Sequence, residues 1–493
     1  MGQSILVALS LGIFTYVAHF YFKECQKKYG DICEFYIGNP SNKTRGVILG
    51  RSDFLEKIYS TKIQTSNFIH RTPPNDGLDE YGFSTKGIVY NRNFDTWIYY
   101  RKFFMRAIMA PKFIKQTLVW TEGNFEEMES YWKELYGKDS FELDLSQWLL
   151  RFTTETIFQI TSNKKVYALA NYFNKLSPKG KLGFDTTVLK ESEEFIHRVE
   201  DFITSLIYFL LTPKFLRYFP IGGSYQRTLK LLKERDNLIN DLMNLVAKRR
   251  EEIDNTPLDE PITPDMLTML ITVNTKRSII ENTNDANTEP MTDDAIVGNF
   301  MEAVAGGVDT TAASACYVGY YLAQYPEVKK RVFEEIDSKF TRDQKLTLEV
   351  LDKLPYCEAV IRETSRLLPI ADLNYRMNTK EEILGGYVIP AETQIYIHHY
   401  GMNKHKAHWS NPEEFNPDRF LNDREKSMNF QFGGGIRMCP GRNLAMMELK
   451  ALMVLMYRKY DIELADKNVP LKTHYTIIRH CDEFRVRLKP RVI

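Results

Sequence analysis

A chain of 493 residues, 43% hydrophobic and 26% charged, has ample material for a large core, and its 28 Tyr and 30 Phe exclude a disordered polymer. Its 65 Lys and Arg almost cancel its 64 Asp and Glu, so no global field draws it to nucleic acid. Six cysteines (Cys25, Cys33, Cys316, Cys357, Cys439 and Cys481) form no C-x-x-C pair. That pattern fits neither a disulfide scaffold nor a structural zinc site, and they read as reduced thiols of a cytosol-facing protein.

The chain opens on ILVALSLGIFTYVAHFYF, from Ile5 to Phe22. As a helix this run reaches about 27 Å, close to the thickness of a bilayer core. Lys23, Lys27 and Lys28 follow it and nothing basic precedes it, so the positive-inside rule places the body in the cytosol. We therefore expect a membrane anchor over residues 1–22. A cleaved signal peptide lacks its basic start and small-residue cleavage site here, and a buried core helix is the other reading.

Helical spacing of apolar residues follows from Asp53 to about Thr65 and from Thr96 to Lys115. The stretch between them, RTPPNDGLDEYGFSTKGIVYN, reads as a loop because of its Pro-Pro and Asn-Asp-Gly. In the second helix Trp97 and Arg101 stand at i and i+4 on one face. Residues from about Phe125 to Ile271 show mostly helical patterns, and the polar, Asn- and Thr-rich segment 273–292 reads as a surface insertion.

Asp293 to Tyr325 then reads as one helix about 50 Å long, with Thr292 as N-cap, two acids in its first turn and Pro326 after its end. Within it, AGGVDTT places two glycines mid-helix, each disfavoured by about 1 kcal/mol relative to alanine. A kink or widened turn that admits a small ligand explains their presence; close helix packing is the plainer reading. Further on, EAVIRETSRLLP puts Glu363 and Arg366 three apart on one face, a spacing that most often marks an exposed ion pair. Short strand-like runs, YVIP, TQIYIHH and FRVRLKP, add a minor β component.

The stretch FQFGGGIRMCPG carries the most specific signal. It satisfies F-x-x-G-x-R-x-C-x-G through Phe432, Gly435, Arg437, Cys439 and Gly441, a match expected by chance on the order of 10⁻⁴ times in such a chain. The helical face of RNLAMMELKALMVLMYRKY follows, so Cys439 stands just before a helix N-terminus, where dipole and free amides favour a thiolate.

These residues resemble the haem-binding signature of the cytochrome P450 family, and the resemblance extends through most of the chain. It implies a mainly α fold with a minor β component, a long central helix over haem and one catalytic domain over 23–493. Cys439 is then the iron ligand of a haem b. Phe432, Gly435 and Gly441 shape its loop, and Trp97, Arg101, Arg376 and Arg437 are the partners of the haem propionates. Asp309 and Thr310 match the family's proton-delivery positions beside the oxygen-binding groove. Glu363, Arg366 and Arg419 (in FNPDRF) match its structural triad. Phe300, Ala303, Ala305, Gly306, Ile370, Leu373 and Ile477 are expected to line the substrate pocket, with Asp372 its one charge.

The implied function is a monooxygenase that inserts one atom of O2 into an apolar substrate. Electrons would come from NADPH through cytochrome P450 reductase, with cytochrome b5 as a second donor. A basic face of Lys102, Arg106, Lys112, Lys115, Arg442 and Lys450 would receive that partner. The same resemblance implies an endoplasmic reticulum membrane protein with a cytosolic catalytic domain. The family's proline-rich hinge does not follow the apolar run, which leads directly into CQKKYGDICEFYIG. An oxygen-independent isomerase or dehydratase on the same fold, and a non-enzymatic haem sensor, are the alternatives.

Overall fold

Prolines set several of the helix boundaries. Pro111, Pro326 and Pro355 each occupy the first turn of a helix, where a missing N–H leaves no bond unmade. The continuous helix expected up to Lys115 is therefore two, Phe94–Met109 and Pro111–Tyr136, which share Ala110 as a corner. The computed structural model describes residues 24–39, 42–62, 66–71, 74–177, 186–220, 222–273, 275–278, 290–341, 343–421 and 430–491. The expected anchor over 1–22 lies outside the described residues, as does most of the insertion at 273–292. Among the described residues no helix is long and apolar enough to cross a membrane.

Two other expectations change. Among the described residues between Asp53 and Thr65, a short 3-10 turn, Ser52–Phe54, and one helical turn, Leu55–Ile58, form. The expected loop before Trp97 contains the helix Asp76–Tyr81, started by Asn75, whose side chain accepts the Leu78 amide, and closed by Gly82 in the left-handed region.

The central helix is broken. It runs Asp293–Gly307, is interrupted at Val308, and resumes as Asp309–Gln324. Thr292 caps its start by accepting the Ala295 amide, as its side chain predicts. The halves belong to different apolar cores. Phe300, Met301 and Val304 pack with Trp97, Phe103 and Phe158. Ala312, Tyr317 and Leu322 pack with Trp132, Trp148 and the buried face of the helix Arg442–Tyr457. The helix Leu145–Ser162 contacts both halves and bridges the two cores.

The β component falls into four small sheets among the described residues. A four-stranded sheet orders Ile32–Asn39, Asn42–Leu49, Gln394–His398 and Leu373–Met377, with the middle pair parallel and the outer pairs antiparallel. A three-stranded sheet joins Phe141–Asp144, Arg485–Pro490 and Tyr460–Leu464. Two hairpins complete it: Glu382–Leu384 with Tyr387–Ile389, and Lys472–Tyr475 with Arg479–Glu483. The second hairpin packs against the helix Asp309–Gln324 and so reaches the break at Val308.

Candidate haem-thiolate site

The cysteine loop is built on a short 3-10 turn, Gly435–Arg437, separated by four residues from the helix Arg442–Tyr457. The Cys439 amide donates to the Phe432 carbonyl at 2.9 Å and closes the loop. Gly435 has φ +65°, and a Cβ there would sit 2.7 Å from the Tyr59 carbonyl carbon and 2.8 Å from the Ser60 oxygen. Only glycine fits on both counts. Its clearance serves the Tyr59–Ser60 backbone, to which Ile436 donates an amide hydrogen bond of 3.2 Å. The sulfur itself meets Gly441, whose Cβ position lies 4.0 Å from Cys439 Sγ. Burial pushes the Cys439 thiol up; the Gly441 amide and the charges of Arg71 and Arg101 oppose that and favour the thiolate.

Arg437 belongs to this loop, and three more arginines gather about it. Arg437 is buried and donates to the carbonyls of Ile69 (2.8 Å), Ile88 (3.3 Å) and Asn91 (3.3 Å). Arg101 donates to the Met438 carbonyl at 2.6 Å, and Arg71 to the Arg437 carbonyl at 3.0 Å. Arg376 is 1% exposed; it donates to Asn374 Oδ1 and the Tyr375 carbonyl. Trp97 does not present its indole N–H to a ligand as expected, because that group donates to the Ile88 carbonyl at 3.0 Å. Its ring is instead a platform, with the Arg437 guanidinium 3.9 Å from its centroid.

Burial and mutual repulsion lower Arg437 to about 8, and Arg101 and Arg376, chiefly through burial, to about 10. Buried positive charge gathered this way calls for anions. Glu302 acts favourably on Arg437, yet its own oxygens accept the amides of Ile88 and, at 3.0 Å, Val89. Arg376 Nη2 and Arg71 Nε are buried with no partner among the described residues. A group carrying two carboxylates beside a thiolate would satisfy these donors, so the residues fit haem.

The expected groove residues lie at the break in the central helix. Thr310 Oγ1 reaches back across it to the Gly306 carbonyl at 2.6 Å. Space is open beside Gly306, where a Cβ would meet nothing within 4 Å. Burial pushes the Asp309 carboxyl up, opposed by His474, and His480 Nδ1 stands 3.8 Å from Asp309 Oδ1.

The expected pocket residues divide. Ala303, Ala305 and Gly306 are partly or fully accessible beside the break, Ile370 is half-buried and Ile477 is exposed. Leu373 is buried in the sheet edge beside Cys25 and Tyr396. Phe300 is buried in the helical core, 6.4 Å from the Phe158 ring, so it packs against its neighbours rather than facing open space. Asp372, the expected pocket charge, is engaged by Tyr475 Oη at 2.5 Å and Arg479 Nη2 at 3.2 Å.

The structural triad assembles away from this chemistry. Arg366 forms a two-point pair with Glu363 (2.7 and 2.8 Å) and also donates to the carbonyls of Asn403, Pro412 and Glu414. Arg419 Nε approaches Glu363 at 3.4 Å. With the Arg366–Glu363 pair buried, this arginine staples the segment 403–419 to the helix Pro355–Leu367. The expected basic face loses one member, since Lys450 is 6% exposed and points to Asp352 and Glu358.

Arg71 and Glu302 were not anticipated. Arg71 lies in a loop and nothing in its surroundings marks it. Glu302 is the lone charge in the apolar run from Ala295 to Val308, and that signal could have singled it out.

A glycine-cleared cysteine loop flanked by four arginines, two of them fully buried, and a helix broken at Val308 fit a haem-thiolate protein. The family model for cytochrome P450 matches residues 7–487, and the chain belongs to the cytochrome P450 family; it is an enzyme of the monooxygenase class. It is 26% identical to the steroid 17-alpha-hydroxylase/17,20 lyase of Ictalurus punctatus over 90% of this chain and 81% of that one. It is 25% identical to a flavonoid 3',5'-hydroxylase of Crocosmia x crocosmiiflora, over 81% of this chain and 74% of that one. A zebra fish cytochrome P450 structure with abiraterone superposes with a TM-score of 0.73 at 18% identity, covering 97% of this chain and 99% of that one.

Proposed function

We propose that this enzyme hydroxylates a compact apolar substrate with electrons delivered by a reductase partner. The observation that carries this reading is the gathering of Arg71, Arg101, Arg376 and Arg437 about the loop that holds Cys439. When bound, haem supplies reductive activation of O2 and oxygen transfer to a C–H bond. Cys439 would hold the iron, its charge supported by the Gly441 amide, and Arg71, Arg101, Arg376 and Arg437 would hold the propionates.

Thr310 and Asp309 would position and pass protons at the break in the central helix. With Asp372 engaged by Arg479 and Tyr475, the surfaces left to a substrate near Ala303, Ala305, Ile370 and Ile477 are apolar. The relatives named as steroid and flavonoid hydroxylases support a rigid, ring-based molecule as its size class.

Lys102, Arg106, Lys112, Lys115 and Arg442 would receive an acidic electron-transfer partner, NADPH-cytochrome P450 reductase or cytochrome b5. Leu211, Phe215, Leu216 and Phe219 are exposed on one short stretch and support contact with a membrane, in keeping with an endoplasmic reticulum location and a cytosolic body. The deciding experiment is the reduced-CO difference spectrum. Wild type should show the thiolate band and Cys439→Ala should lose it; a wild type without that band defeats the reading.

A further inference from the structure

The C-terminal hairpin brings two histidines to the acid in the groove. In its antiparallel register His480 pairs directly with His474. Their rings stack at 4.8 Å between centroids and 8° between planes. His480 Nδ1 faces Asp309 Oδ1 at 3.8 Å, and His480 Nε2 lies 2.7 Å from Thr476 Oγ1. The outer imidazole, His474, is 49% exposed and hydrogen-bonds Asp482, while the inner one is 21% exposed. The hairpin is held to the helix Asp309–Gln324 by Tyr317, whose hydroxyl donates to the Arg479 carbonyl at 3.1 Å. It is held to the pocket wall by the Arg479 amide on the Ile370 carbonyl at 2.8 Å.

We propose that His480 supplies protons to Asp309, so that the groove draws on bulk water through the hairpin by way of Thr476. The proposal rests on the monooxygenase reading, in which each turnover takes O2, two electrons from a one-electron donor protein and two protons, and returns hydroxylated substrate and water. His480 acts through Asp309 and is a positioning residue.

A neutral imidazole carries one N–H and one lone pair on opposite sides of its ring, so it can accept at one nitrogen while releasing at the other. The His480 Nδ1–H bond breaks and an Asp309 O–H bond forms. A proton from the Thr476 hydroxyl makes the new Nε2–H bond, hydronium from bulk water restores the hydroxyl and leaves as water, and proton exchange with water returns the ring to its Nδ1–H tautomer. Burial, with His474 beside it, lowers His480 to about 4, which keeps the ring neutral at physiological pH. The raised Asp309 carboxyl is the more willing acceptor. The titratable groups that face His480 are Asp309 on the helix and His474 and Asp482 on the hairpin. The 3.8 Å gap exceeds hydrogen-bond length, and a small side-chain adjustment closes it, as such contacts often tighten on ligand binding.

The test uses holoprotein in two measurements. In the diamagnetic reduced-CO form, ¹⁵N-histidine spectra should show His480 as the Nδ1–H tautomer, and Asp309→Asn should shift its signals. After dithionite-reduced protein is mixed with aerated buffer, the return to the ferric spectrum should slow by about threefold or more in His480→Gln and in Thr476→Val. The pH dependence of that rate should flatten in both variants. Unaltered His480 signals in Asp309→Asn, or wild-type rates and pH profiles in both hairpin variants, overturn the relay. The same samples separate the two claims: a missing thiolate band in wild type defeats the monooxygenase reading. A normal band with unchanged proton behaviour defeats the relay alone.

Discussion

The guanidinium of Arg437 stacks 3.9 Å from the ring centroid of Trp97, while the indole N–H of Trp97 is donated to the Ile88 carbonyl. Trp97 therefore serves Arg437 with its face. Trp97→Phe keeps that face and should retain haem within about threefold of wild type, since a cation–π contact changes by less than about 1 kcal/mol between these rings. Trp97→Ala also opens a cavity at a fully buried site and should destabilise the protein by about 3–5 kcal/mol. Haem transfer to apomyoglobin and thermal melts distinguish the two. Equal haem loss in both variants would mean that the N–H, not the face, is the working part.

Arg71, Arg101, Arg376 and Arg437 repel one another in the apoprotein, whereas in the holoprotein the propionates would offset that repulsion. Arg376→Leu removes a buried charge lowered to about 10, and should raise the melting temperature of the haem-free chain. The same change removes a charge-assisted hydrogen bond worth about 1.5–3 kcal/mol, so haem should bind about 10- to 100-fold more weakly. Calorimetry of the apoprotein and haem titration measure the two halves. A holoprotein of unchanged haem affinity would exclude Arg376 from the propionate set.

Gly435→Ala meets two obstacles at once, a left-handed φ of +65° and the Tyr59 and Ser60 backbone within 3 Å of the new methyl. The backbone conformation alone is disfavoured by about 1–2 kcal/mol for an alanine, and the contact adds to it. Expression should yield protein with little bound haem. Gly433→Ala, also at positive φ but 3.2 Å from a side-chain nitrogen of Asn374, should be milder.

Glu155 tests how buried acids tie stability to pH. It is fully buried in the helix Leu145–Ser162 and accepts the amides of Val166 and Ala168 at 2.9 and 2.7 Å, and burial raises it to about 7. Its folded value lies above its unfolded one, so its contribution is fully present below about 4.5 and is lost as pH rises through about 7. The contribution is up to about 3 kcal/mol. Glu155→Gln should gain on wild type by a few degrees in melting temperature between pH 5 and pH 7.5. A pH-independent difference would refute the assignment.

What could be read beforehand was local in the chain. Cys439 with its glycines, and Glu363 with Arg366, declare themselves within a dozen residues because one turn or one helix face contains the whole motif. Arg71 and Tyr59 could not, for their roles exist only where a loop from the start of the chain meets the cysteine loop. Lys450 and Phe300 were misplaced for a related reason. Helical spacing gives a face, but only tertiary packing decides whether that face meets solvent, a pocket or another helix. The break at Val308 was foreshadowed by Gly306 and Gly307. The helix projected from Asp53 to Thr65 was not realised, and the chain there instead abuts the cysteine loop.

The contact between the cysteine loop and the segment Tyr59–Arg71 also sets a schedule for synthesis. Ile69 and Arg437 are 368 residues apart. At roughly 5–20 residues per second of translation, the early segment waits on the order of 20–75 s before its partner emerges. During that interval the Asn42–Leu49 strand also lacks its parallel neighbour Gln394–His398, leaving a sheet edge exposed. Haem capture is consequently a late event, and nascent chains of this enzyme depend on something to shield that edge until the last fifth of the polypeptide arrives.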